Sequence, residues 1–157
     1  MKQVVKPLQN IIWDEHTSDW CRLPYPRHPK GCPNYGKKEG CPPQAKKVWS
    51  IIKAPYFLVG VCFNLKEHVQ RMKRKHREWS DAQARCLLYW QPKVNKKLRH
   101  VAERFSSQIP NSIVLYTPEA NGVHVFKTCK EIGIVLERNP QNFVWKIALI
   151  GIAVNRR

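Results

Sequence analysis

The sequence predicts a single α/β or α+β domain over residues 1–157, a mixed sheet packed with helices behind a Cys/Pro-rich N-terminal loop. Three observations predict it. Apolar, β-rich runs recur along the chain, segments with helical spacing lie between them, and a 43% hydrophobic content in 157 residues suits one core that needs no staple.

Taken in order, LQNIIW (8–13) predicts a short strand or an approach segment. A loop of about 17–43 follows, and Pro42-Pro43 then suits a helix start, because proline at the first helical position gives up no needed donor. The expectation is a helix over about 43–54 with Val48, Ile51 and Ile52 inward. YFLVGVCFNL (56–65) is nearly all apolar, as a central strand covered on both faces should be. In KEHVQRMKRKHREW (66–79), Val69, Met72 and Trp79 share one helical face while Lys66, Arg71, Lys73, Arg74, Lys75 and Arg77 crowd the rest. Ser80 or Asp81 suits the cap of a further helix over about 81–91, which Pro92 breaks or kinks. Val94, Leu98, Val101 and Phe105 then recur at helical spacing, with Lys93, Lys96, Lys97, Arg99 and Arg104 outside. Residues 66–105 thus read as a basic helical region. SIVLY (112–116) predicts a strand and TPEANG (117–122) a turn. VHVF (123–126) predicts a short strand leading to a helix around 127–132, closed by Gly133. IVLE (134–137) and FVWKIALIGIAV (143–154) predict strands around the turn at 138–142.

The charge is one-sided. Against 11 Asp+Glu stand 28 Lys+Arg, a formal net charge of +17, and such a field attracts polyanions, of which nucleic acid, RNA or DNA, is the usual one. The candidate phosphate contacts are Arg71, Lys73, Arg74, Lys75, Arg77, Lys93, Lys96, Lys97 and Arg99, with Trp79, Tyr89 and Trp90 interleaved among them. No membrane partner is expected, since the longest apolar run, Val144 to Val154 with Lys146 inside it, falls short of the roughly 18 residues of a spanning helix. The opening MKQVVKPLQNIIWDEH breaks off before an apolar signal core builds up. The expected compartment is cytoplasmic and reducing, where the six cysteines read as thiols or ligands before disulfides.

Between Cys21 and Pro43 the chain packs three cysteines, six prolines and three glycines. The spacing Cys21-x10-Cys32-x8-Cys41 matches no short zinc or ferredoxin pattern. The local chemistry is stronger: Gly31-Cys32-Pro33 and Cys41-Pro42-Pro43 place thiols in stiff turns with backbone amides to aim at sulfur, and a helix starting after Cys41 would favour its thiolate. Three thiolates suit a soft centre, a [4Fe–4S] cluster or zinc. The run from Gly31 to Pro43, G-C-x2-Y-G-x4-C-P-P, resembles the hallmark of an uncharacterised family of predicted metal-binding proteins, in which that motif leads into a helix and an apolar strand. The resemblance implies Cys32 and Cys41 as ligands, joined by Cys21. The first cysteine lies farther upstream here than in the family, and the later Cys-rich cluster of many members is missing. A fourth ligand is open among Cys129, Cys86, Cys62 and His28, and Cys129 completes the candidate set.

No hydrolase, deaminase or phosphate-loop signature is present, so an enzyme reading rests on the cluster alone. The functional expectation is a small basic iron–sulfur protein that binds nucleic acid and acts on a base or nucleotide through an open cluster iron. Its alternatives are a non-catalytic nucleic-acid-binding module with a structural zinc or cluster, and an electron-transfer protein.

Overall fold

Two long apolar strands dictate the architecture. In the computed structural model, which describes residues 1–25 and 27–155, β2 (Ile52–Asn64) and β4 (Phe143–Ala153) pair antiparallel in continuous register from Phe57↔Ile150 to Asn64↔Phe143. β1 (Lys2–Leu8) adds antiparallel to the free edge of β2, and β3 (Ser112–Leu115) to that of β4, giving the order β1-β2-β4-β3. Every pairing is antiparallel, so the α+β class is the one adopted. Among the described residues four α-helices complete the chain: α1 (Leu65–Lys75), α2 (Asp81–Ala84), α3 (Gln91–Ser106) and α4 (Val125–Glu131).

Side chains alternate across a strand, and here both faces of the sheet are covered. Phe57, Val59, Val61 and Phe63 of β2, with Ala148 and Ile150 of β4, pack against Leu65 and Val69 of α1 and Val94, Leu98 and Val101 of α3. On the opposite face Leu58, Trp145, Ile147 and Leu149 meet Trp13, Trp20, Val48, and Val125 and Cys129 of α4. The expectation of a strand buried on both sides holds for β2. The basic helices lie on one face of the sheet, and the segment that carries the thiol loop lies on the other.

Several elements differ from the sequence reading, each for a local reason. No helix occupies 43–54. The Pro42 carbonyl accepts from the Gly36 amide at 2.7 Å, so it is spent inside the loop, and Ile52 already belongs to β2 with 1% of its surface exposed. Pro92 opens α3 in its first turn rather than breaking a helix, and the stretch 81–91 divides into α2, with a capping box of Ser80 and Gln83, and a 3-10 turn at Leu87–Tyr89. The first strand lies at Lys2–Leu8 rather than 8–13, leaving Ile11 and Trp13 to pack as side chains. Residues 134–137 form no strand, although Ile134 is buried. Trp79 falls beyond α1, which ends at Lys75. Among the described residues no helix is long and apolar enough to cross a membrane.

Ile150 is fully buried between the strands and α3. Ile150→Ala is expected to lower unfolding free energy by about 3 kcal/mol, since a large-to-small core change leaves a cavity as well as losing apolar contact; urea denaturation measures it.

Candidate functional site

The thiol loop is built on turns rather than on an element. Asp14 caps a 3-10 segment, Glu15–Arg22, by accepting from the His16 amide at 2.9 Å, and that segment delivers Cys21. The Cys32 amide donates to the Cys21 carbonyl at 2.7 Å, which ties the first two cysteine positions together across the loop. Gly31 permits this approach: its φ is +83°, and a Cβ there would collide with the backbone of Cys21 and Arg22. The third position is set by the Cys41 amide donating to the Lys38 carbonyl at 3.0 Å and by the Ala45 amide donating to the Cys41 carbonyl at 3.0 Å. The amides of Cys32 and Cys41 are therefore engaged with carbonyls, not aimed at sulfur as the sequence suggested. No helix follows Cys41 directly, so no helix N-terminus lies at that position. Pro26, inside the predicted loop, lies outside the described residues.

Electrostatics group these thiols. Burial pushes the Cys21 thiol up, and Cys32, Glu119 and Cys41 push it further the same way. In a chain of net charge +17, Cys21 thus sits among groups whose charged forms are all negative. Each of these influences favours the neutral Cys21 thiol over its thiolate. As the loop stands, no three His, Cys, Asp or Glu side chains among the described residues are grouped so as to hold a metal ion; the thiols feel one another without converging.

The candidates for a fourth ligand are not among the groups whose charge reaches Cys21. Cys129 lies on α4 with no exposed surface, in the apolar core with Leu58, Val123 and Leu149, and burial pushes its thiol up to about 12. Cys62 is in β2 and Cys86 precedes the Leu87–Tyr89 turn. His28 stacks on Tyr25 at 4.5 Å. The group acting on Cys21 that sequence reasoning passed over is Glu119, read there as part of a turn. It follows Pro118 in a 3-10 turn, Pro118–Asn121, and its carbonyl accepts from the buried Thr17 hydroxyl at 2.8 Å, which pins that turn to the segment carrying Cys21.

Glu119 also lines a cavity of about 240 Å³ together with Lys146 of β4. Burial is the largest influence on both: it raises the Glu119 carboxyl, with its own backbone amide and Lys146 opposing, and it lowers the Lys146 ammonium, with Glu119 opposing. A lysine inside an otherwise apolar strand was the available signal, and the sequence reading took it as an interruption of an apolar run rather than as part of a site.

On the other face of the sheet the basic helices present their cations to solvent. Arg71, Lys73, Arg74, Lys75, Arg77, Lys93, Lys96 and Arg99 are exposed and Lys97 is half-buried. Among them, Lys73 is the one in an ion pair among the described residues, with Asp81 at 2.7 Å. Arg71 reaches the ring of buried His68 at 3.3 Å, and Arg99 lies over the Tyr116 ring. Three rings stack beside this surface, His76 on Trp79 at 4.0 Å and Trp79 on Tyr89 at 5.1 Å. Tyr89 is 52% exposed while Trp90 is buried against Phe63. Comparison of the chain with protein-family models, with curated proteins and with solved structures finds no match.

The thiols differ sharply in access. Under iodoacetamide the folded protein is expected to alkylate at Cys32 and Cys41, which are half-buried, while Cys129 reacts only after unfolding; mass spectrometry of native and denatured samples reads the difference.

Proposed function

We propose that the protein binds single-stranded nucleic acid across α1 and α3, and that Cys21, Cys32 and Cys41 hold a soft metal centre, a [4Fe–4S] cluster or zinc. The observation that carries the first part is the run of exposed cations on two helices of one face, of which Lys73 alone among the described residues is neutralised by an acidic neighbour. Such a surface holds phosphates and selects no sequence by itself. The ladder of His76, Trp79 and Tyr89 offers an exposed ring at its end, and unpaired bases stack on such rings whatever their identity. A duplex hides those faces, which favours the single strand.

The metal reading is supported by the donor chemistry around Cys21 and by the engagement of Gly31 in bringing Cys21 and Cys32 together. Bound there, a soft metal would favour the thiolate forms that burial opposes. With three thiols as its protein ligands, such a centre keeps one position open to an outside donor, which favours chemistry at a base as the second reading over a purely structural site.

Two experiments test this. Binding of a fluorescent oligouridylate should weaken about 100-fold between 50 and 200 mM salt if some five phosphates are contacted. Changing Arg74, Lys75, Arg77, Lys93 and Lys96 together to glutamine should remove most of the affinity and flatten that salt slope, and unchanged binding would reject the helical surface. For the metal, elemental analysis of anaerobically purified protein should find iron or zinc that is lost in Cys21→Ser, Cys32→Ser and Cys41→Ser. Gly31→Ala should lose it too, because the loop can no longer bring Cys32 to Cys21, while Cys129→Ala retains it. Metal content indifferent to all three serine variants would refute the site.

A further inference from the structure

Between two buried anchors the chain sends one short turn outward. Ala84, at the end of α2, has no exposed surface. Trp90 is buried too, stacked on Phe63 at 5.1 Å and donating from its ring N–H to the Arg85 carbonyl at 3.2 Å. Arg85 is tied in turn to Gln141 at 2.8 Å. The 3-10 turn Leu87–Tyr89 is closed by the Tyr89 amide donating to the Cys86 carbonyl and the Trp90 amide to the Leu87 carbonyl, each at 3.2 Å. With three residues to a revolution, its side chains fan out instead of sharing a buried face. Leu87 is 47% exposed, Leu88 78% and Tyr89 52%. Exposed leucines are ordinary when scattered singly. Three consecutive large side chains, held in water by a turn anchored at both ends, are not.

The turn stands where the basic face meets the ring ladder. Tyr89 is the end ring of that ladder, on Trp79 at 5.1 Å, and it lines a cavity of about 210 Å³ with Arg71 of α1 and Lys93 of α3. Both cations are exposed, and Glu67 is the one acid in the same wall. An apolar surface beside cations has two common complements, anionic lipid and nucleic acid. The ladder favours the second. Its rings stack at interplanar angles of 10° and 27°, as bases do, whereas lipid binding scales with apolar area, of which a single turn presents little.

Leu88 and Tyr89 do different things to a nucleic acid. An aliphatic side chain covers the flat face of a base pair, as apolar wedges at base steps do, while an exposed ring stacks on a base that has no partner. Successive in the chain, the two surfaces lie side by side. A nucleic acid offers a paired face beside an unpaired one where a duplex ends and one strand continues.

We propose that Leu87–Tyr89 is a wedge for the junction between paired and unpaired nucleic acid. Leu88 covers the last base pair, Tyr89 takes the first unpaired base, and Arg71 and Lys93 hold the backbone of the continuing strand. The proposal rests on the single-strand reading above and names the form of nucleic acid that surface meets.

The full chain is titrated with an oligouridylate, with a blunt RNA duplex, and with that duplex carrying an oligouridylate tail of either polarity, 2-aminopurine being placed in the last base pair. One tailed duplex should bind at least about 10-fold more tightly than either other probe, and 2-aminopurine emission should rise as Leu88 displaces the neighbouring base. Leu88→Ser should abolish the preference and the rise while leaving oligouridylate binding within about 2-fold, as a surface substitution does; Leu88→Met should keep both. Equal binding of tailed duplex and oligouridylate, a blunt duplex bound as tightly as the tailed one, or a preference that survives Leu88→Ser would overturn the wedge. Oligouridylate binding still reports on the single-strand surface by itself, and only loss of all RNA binding would sink both readings. Phosphatidylserine vesicles are the remaining arm: vesicle binding that Leu88→Ser removes, with no preference for the junction, would assign the turn to a membrane instead. Circular dichroism checks the variants, and the preference of the unaltered protein decides without them.

Discussion

The antiparallel pairing of β2 with β4 is the constraint on which the rest of the molecule depends. Eight consecutive residue pairs, Phe57↔Ile150 through Asn64↔Phe143, hold the two strands in register, and a slip of one residue would turn every apolar side chain to the wrong face. Because both faces are apolar, both demand cover. α1 and α3 meet that demand on one side; Trp13, Trp20, Val48 and α4 meet it on the other. The thiol loop is thereby anchored between covered segments, Trp20 before Cys21 and Val48 after Pro43, although it has no regular structure of its own.

That arrangement separates two electrostatic regimes. The helical face carries cations that stay hydrated and exposed, where like charges repel weakly and salt screens them. Across the sheet, burial dominates: it raises Cys21, Glu119 and Cys129, in each case as the largest influence. Cys32, Glu119 and Cys41 act on Cys21 in the same direction as burial. For Cys129, surrounded by aliphatic side chains, burial is the one influence, and it keeps the thiol neutral.

Much of the fold was legible because periodicity survives in isolated stretches. The apolar continuity of 56–65 and of 143–154, and the spacing of Val94, Leu98, Val101 and Phe105, each matched an element. Prolines misled twice, in opposite directions. Pro42-Pro43 suggested a helix start where the loop had already claimed the Pro42 carbonyl, and Pro92 suggested a break where it begins α3. In both cases the same residue is compatible with two roles, and hydrogen-bond partners distant in sequence choose between them. IVLE resembles a strand but has no neighbour to pair with, so Ile134 is buried without one.

The sequence by itself determined that the chain is strongly basic, that its cations fall on amphipathic helices, that two apolar strands form its centre, and that Cys32 and Cys41 sit in glycine–proline turns. These are properties of composition and of short-range spacing, which need no knowledge of what lies across the fold. The tertiary structure alone decided that Cys129 belongs to the core, that the turn carrying Glu119 is pinned to the segment carrying Cys21, and that Glu119 and Lys146 line one cavity. Those relations join residues about 100 and 27 positions apart, as the Thr17–Glu119 hydrogen bond and the cavity wall show, and no local pattern encodes them. They arise because the turn after β3 packs on the segment that carries Cys21.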